Sequence, residues 1–106
     1  MEINLTFQGK IVYPLELDKN WNKLHSEDKE TIIFVYAKEI LDNFQKRLPK
    51  KYSIILFFYD VIDNSIKDYE ETEQYEICSI LLQIKNAVQD SEKRSKFNHI
   101  NETEGD

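Results

Sequence analysis

The fold of this 106-residue chain is decided by one stretch near its start, INLTFQGKIVYPLEL (residues 3–17). Its first half alternates apolar and polar residues, the period-two pattern of a strand with one buried face. Gly9 then allows a tight turn, because glycine adopts positive φ without a steric penalty. After the turn the alternation resumes and predicts a second apolar set on one face: Ile11, Tyr13, Leu15 and Leu17. The stretch therefore predicts a β-hairpin over residues 2–17.

Helices in the rest of the chain must cover the apolar face of this hairpin, since an isolated hairpin is only marginally stable in water. Pro14 lacks an N–H group, which places the second strand at a sheet edge. The whole chain holds only two glycines and two prolines, too few turn residues for an all-β domain of this length. We therefore predict an α+β fold: an N-terminal β-hairpin followed by three main helices in a single domain.

The first helix is predicted over residues 27–48. Apolar residues recur at helical spacing for four turns, from Ile33 to Leu48. Ser26 is the expected N-cap, and Pro49 ends the helix. Residues Lys46, Arg47, Lys50 and Lys51 then form a short basic cluster around that proline.

The second helix is predicted over residues 53–69, although a strand is the alternative for residues 53–59. The segment YSIILFFYDVI (residues 52–62) is rich in β-branched and aromatic residues, which also favour strands. A helical stripe that continues for four turns, from Ile55 to Tyr69, favours the helix. Ser53 is positioned to cap it.

The last helix is predicted over residues 73–90, with Thr72 and Glu73 at its opening. The compact domain is predicted to cover residues 1–92. Residues 93–106 are strongly polar and are predicted to form a disordered tail.

Most enzyme classes lack their characteristic residues in this sequence. The only histidines are His25, at a predicted helix junction, and His99, in the predicted tail. Cys78 lies on an apolar helical stripe, which indicates a small core residue and not a nucleophile. No glycine-rich loop could hold phosphates, and no residues have metal-ligand spacing. We therefore expect no enzymatic activity, no cofactor and no metal.

The expected location is the cytoplasm. A single cysteine cannot form an internal disulfide, which favours a reducing compartment. The longest apolar run, residues 54–59, is far shorter than the ~20 residues of a membrane span, and no signal-peptide pattern is evident. We expect no membrane partner.

The charge distribution is the main functional indication. The segment YDVIDNSIKDYEETEQYE (residues 59–76) holds seven acidic residues and one basic residue, so it carries −6, which equals the net charge of the whole chain. Tyrosines, which are favoured at interfaces, are interleaved with these acids. The predicted partner-binding residues are Asp60, Asp63, Asp68, Glu70, Glu71 and Glu73, with Tyr59, Tyr69 and Tyr75 as aromatic anchors.

Such a surface suits a basic partner protein, for example a toxin nuclease or a nucleic-acid-binding protein. We therefore predict a small acidic inhibitor that neutralises its partner by stoichiometric binding, of the immunity-protein, antitoxin or phage-inhibitor type. The alternative is that the acids only keep this surface solvated and that the tyrosines lie partly in the core.

Two further functions remain open from the sequence. The first is a structural or assembly adaptor or chaperone, related to phage or secretion. It would act through apolar helix faces, with residues such as Phe57 or Leu82, and a homo-oligomer is one form of this function. A nucleic-acid-binding regulator would use the basic cluster, but the sequence pI of about 4.9 argues against nucleic acid.

Overall fold

The α+β fold predicted from the sequence is confirmed. The computed structural model describes the backbone of residues 1–50 and 53–105, and the side chains of residues 1–50 and 53–94. A two-stranded antiparallel hairpin precedes three helices, which together contain most of the described residues. The elements are β1 (Glu2–Phe7), β2 (Lys10–Glu16), a short 3-10 turn (Trp21–Lys23), α1 (Ser26–Arg47), α2 (Ile54–Glu71) and α3 (Tyr75–Gly105).

The hairpin turn has two residues with positive φ. Gln8 has φ 53° and Gly9 has φ 77°, the combination that a two-residue type I′ loop requires. Such a loop follows the right-handed twist of the strands, so β1 and β2 pair directly from Phe7 and Lys10 back to Glu2 and Glu16.

A β-bulge corrects one part of the predicted alternation. Leu5 pairs with Tyr13, but Thr6 pairs with Ile11, so Val12 is an extra residue in β2. A bulge reverses the side-chain alternation beyond it. The prediction that Ile11 shares the buried face is therefore wrong: 60% of its surface is exposed, whereas Leu15 is 1% exposed.

The outer edge of β1 is closed by side chains of α2. The backbone N–H of Asn4 donates to the Tyr69 hydroxyl at 2.8 Å. The N–H of Thr6 donates to Ser65 Oγ at 2.8 Å, and Asn64 Nδ2 donates to the Thr6 carbonyl at 3.1 Å. These bonds satisfy backbone groups that an edge strand otherwise leaves open to pairing. Pro14 faces Asn4 across the hairpin, so its missing N–H costs no ladder bond.

The hydrophobic core lies between the apolar face of the hairpin and the three helices. The ring centroids of Phe44 and Phe57 are 4.9 Å apart in an edge-to-face arrangement, and those of Phe7 and Phe57 are 5.4 Å apart. Phe57 is therefore partly buried and packs against the core. The most deeply buried apolar side chains come from both strands and all three helices: Ile3, Leu5, Leu15, Ile40, Phe44, Phe58, Val61, Ile62, Leu81 and Ile84.

The helix boundaries differ from the predictions in small ways. Residues 54–59 are helical, as the stripe predicted, and Ser53 Oγ accepts a hydrogen bond from Leu56 N at 3.3 Å. Ser26 is not the N-cap of α1, because the helix already begins there. His25 takes the cap position without a side-chain hydrogen bond.

The last helix starts two residues later than predicted, at Tyr75, and α3 is assigned to Gly105. The disordered tail predicted over 93–106 falls largely on residues 95–106, whose side chains lie outside the described part of the chain. It stays a prediction.

Candidate protein-binding surface

The acids of the charged segment are concentrated where α2 ends and α3 begins. We call residues 68–76 the acidic corner. Two hydrogen bonds shape it: Glu73 N donates to the Glu70 carbonyl and Gln74 N donates to the Tyr69 carbonyl, both at 2.9 Å. This pair of bonds is the Schellman motif, which ends a helix and reverses the chain.

Glu73 adopts an unfavourable backbone conformation to make this reversal. It occupies the position of the motif that is usually glycine, and its φ is 58°. A left-handed conformation costs a residue with a Cβ roughly 1–2 kcal/mol. The predicted place of Glu73 in the first turn of the last helix is therefore wrong, whereas Glu76 does lie in the first turn of α3.

The charges of the corner also oppose the dipole of α2. Glu70 and Glu71 lie in the last turn of α2, which contains no basic residue. A helix C-terminus carries partial negative charge, so acids there are destabilising by a few tenths of a kcal/mol up to about 1 kcal/mol each. Both are exposed.

The structure divides the predicted acids into engaged and free groups. Asp63 forms a salt bridge with Lys85 of α3 at 2.8 Å. Asp68 Oδ2 accepts a hydrogen bond from Thr6 Oγ1 at 2.6 Å, beside the sealed edge of β1. All six predicted acids are exposed. Among the described residues, four of them have no hydrogen-bond or ion-pair partner for the side chain: Asp60, Glu70, Glu71 and Glu73.

The three predicted tyrosine anchors have different environments. Tyr59 is half-buried and its hydroxyl donates to Glu92 Oε2 at 2.6 Å; burial, followed by the effect of Glu92, raises the pKa of Tyr59 to about 12. Tyr69 is half-buried and holds β1 through Asn4. Only Tyr75 is largely exposed, at 64% of its surface. Of the three predicted anchors, Tyr75 is thus the one with an exposed ring, whereas the hydroxyls of the other two bond within the fold.

Cys78 has the environment of a core residue. It is buried, and its thiol donates to the Ile66 carbonyl at 3.5 Å. Burial and then the charge of Glu70 raise the pKa of Cys78, so the thiolate is disfavoured.

The basic cluster at the end of α1 is partly engaged. Arg47 Nη1 donates to the Val12 carbonyl at 2.6 Å and to Asn43 Oδ1 at 3.2 Å. It thereby caps the backbone at the bulge of β2. Lys46 and Lys50 are exposed, and Lys51 lies outside the described residues.

Two apolar surfaces were not found by sequence reasoning. The apolar groove, about 480 Å³, lies between α1 and α3 and includes Phe34 and Leu41 from α1. The hairpin hollow, about 500 Å³, is lined by Phe7, Leu48, Ser53, Leu56, Phe57 and Asp60. The available signal was the presence of Phe34 and Leu56 off the buried stripes of their helices; both are exposed, at 49% and 65%.

Within the described ranges, no cluster of three histidine, cysteine or acidic residues could hold a metal ion, and no helix is long and apolar enough to cross a membrane. Comparisons of the chain with protein-family models, with curated proteins and with solved structures found no match.

Proposed function

We propose that this protein binds a basic partner protein through the acidic corner and neutralises it by stoichiometric binding. The observation that carries the proposal is Glu73, an acidic residue in a left-handed conformation that favours glycine. Backbone strain of this kind persists where another advantage offsets it, and an interface is one such advantage.

Three features of the corner support the same conclusion. The acidic corner contains an exposed tyrosine, Tyr75, whose ring could bury apolar area while its hydroxyl keeps a polar partner. Glu70 and Glu71 weaken the helix that carries them. A concentrated negative potential attracts a basic protein and accelerates its association.

The partner class follows from the charge. A toxin nuclease or another nucleic-acid-binding protein presents a basic surface to phosphates, and the acidic corner would compete for that surface. An immunity protein or antitoxin acting in the cytoplasm is the specific form of this proposal, and such a protein needs no catalytic group.

A charge-reversal experiment with a matched control tests the proposal. The corner variant carries Glu70→Lys, Glu71→Lys and Glu73→Lys. The control variant changes the net charge equally on other exposed acids: Glu30→Lys, Glu39→Lys and Asp90→Lys. Each tagged protein is used to capture partners from lysate of the source organism, and calorimetry with the purified partner gives stoichiometry and affinity.

We expect one basic protein to bind the native chain and the control variant at a fixed ratio and to be lost by the corner variant. Equal loss in both variants would show that only net charge matters. Retention of the partner by the corner variant would contradict the proposed surface.

A second candidate function is an assembly adaptor or chaperone, and the hairpin hollow favours it. Leu56 is exposed there beside Phe57 and Phe7, a surface suited to an apolar client segment. Leu56→Gln should abolish client capture in this case, while Val35→Gln, at an exposed site on α1 outside the hollow, should not. The corner variant should then retain the client.

A further inference from the structure

The apolar groove has an exposed wall formed by α1. Phe34 is 49% exposed, and Leu41 is half-buried two turns further along the same side of the helix. Ile55 of α2 with Ala87 and Val88 of α3 complete the apolar lining. Apolar surface that remains open on a folded chain favours association with another surface.

Two opposite charges lie on this wall. Lys38 and Asp42 both line the groove and both are exposed. Neither forms an ion pair with another residue in the described part of the chain. Residues four apart are neighbours on a helix, but a base that precedes an acid is the weaker order for pairing within the helix. Both charges are therefore available to a second molecule.

We propose that this wall of α1 is a homodimer interface, in which a second copy of the chain packs antiparallel and Lys38 of each copy faces Asp42 of the other. A two-fold symmetric interface requires a self-complementary surface, where residue i meets residue j and j meets i. Opposite charges one turn apart meet this requirement when the symmetry axis passes between the two copies of α1, at the level midway between Lys38 and Asp42 along the helix. Both pairs then form at once around the apolar groove.

The charges favour a second copy over an unrelated partner of uniform charge. An acidic segment would be repelled by Asp42 and by Glu92, which also lines the groove, and a basic segment would be repelled by Lys38. An antiparallel copy instead pairs Lys38 with Asp42. The segment 59–76, which holds the net negative charge, contributes no residue to the groove. Dimerisation and binding through the acidic corner therefore use separate surfaces, and the dimer would present two corners.

Sedimentation equilibrium on charge-swapped variants tests the proposal. The single variants are Lys38→Asp and Asp42→Lys, and the double variant carries both changes. Each single variant places like charges opposite each other in a homodimer, so we expect its dissociation constant to rise at least about tenfold. The double variant restores both pairs with the charges exchanged and should dimerise like the native chain.

The sharpest measurement is an equimolar mixture of the two single variants. One variant then carries two acids and the other two bases at the interface, so the mixture should form heterodimers more tightly than either variant dimerises alone. Circular dichroism on each variant confirms that the fold is retained.

The corner variant described above should dimerise normally, which separates this inference from the proposed function. A native chain that is monomeric at high concentration would overturn the dimer. So would a dimer that survives both single changes, or a mixture and double variant that do not recover association.

Discussion

Residues 64–69 and residues 70–76 are consecutive and both are polar, yet they have opposite roles in the structure. In the first stretch, Asn64, Ser65 and Tyr69 hydrogen-bond to backbone groups of β1. In the second, no glutamate side chain has a hydrogen-bond or ion-pair partner among the described residues. In the first stretch α2 lies along β1. In the second stretch α2 ends at Glu71 and the chain turns into α3.

The difference shows which polar residues of a charged segment stabilise the fold by bonding to a strand. Positions 64, 65, 68 and 69 lie on one flank of α2, because residues four apart share a face. That flank meets the edge of β1, where backbone groups need partners. Beyond Glu71 the helix ends, and the side chains of Glu73 and Glu76 have no hydrogen-bond or ion-pair partner in the described part of the chain.

We expect the greatest loss of stability from a change at Ser65, whose side chain bonds to the outer edge of β1. This side chain is 0% exposed; its Oγ donates to the Val61 carbonyl at 2.7 Å and accepts from Thr6 N. Ser65→Val would leave the Thr6 N–H unpaired and add a methyl group to a filled site. We expect the free energy of unfolding to fall by about 3 kcal/mol, measured by urea denaturation.

The control for this change is Ser79→Val, at an exposed site of α3. It introduces the same side chain without disturbing a buried bond and should stay within about 0.5 kcal/mol of the native stability. If both variants have the same stability, Ser65 does not hold the strand.

The two tyrosines on either side of the boundary give a second, smaller contrast. Tyr69→Phe removes the acceptor of the Asn4 N–H, and we expect a loss of about 1–2 kcal/mol in unfolding free energy. Tyr75→Phe removes a hydroxyl from an exposed ring and should leave stability unchanged. Amide hydrogen exchange at Asn4 should accelerate only in Tyr69→Phe; equal exchange in both variants would contradict the assigned bond.

The acidic corner itself should respond in the opposite direction. Glu73→Gly relieves the left-handed strain and should raise the free energy of unfolding by about 1 kcal/mol. Glu73→Ala removes the same charge but retains the strain, so its stability should remain near that of the native chain. A gain of equal size in both variants would assign the cost to charge and not to backbone conformation.

Local patterns in the sequence predicted the elements because each pattern has a local cause. The alternation before Gly9 follows from a strand with one buried face, and the stripe from Ile55 to Tyr69 follows from a helix packed on one side. The stripe outweighed the strand preference of residues 53–59 because a period sustained over four turns requires a continuous buried face. The concentration of acids was also visible, as a count along the chain.

The details that the sequence did not predict depend on contacts between distant residues. Tyr69 and Asn4 are 65 positions apart, so nothing near Tyr69 indicates that its hydroxyl serves β1. Val12 is the bulge residue because β1 and β2 must align on both sides of it, which is a property of the pair of strands. The left-handed conformation of Glu73 was missed because its sequence lacks the glycine that usually marks it.

The last contrast concerns the tyrosine that joins α2 to α3, and it is visible only at high pH. Burial, with the Glu92 carboxylate, raises the pKa of Tyr59 from its ordinary 10.0 to about 12. A raised folded pKa means that the neutral hydroxyl is stabilised by folding. The contribution of this hydroxyl to the free energy of unfolding is complete below pH 10 and is lost as pH rises toward 12. Tyr59→Phe has no such group, so its unfolding free energy should decline less steeply over this range. Identical slopes in the native chain and in Tyr59→Phe would show that Tyr59 is not coupled to the fold.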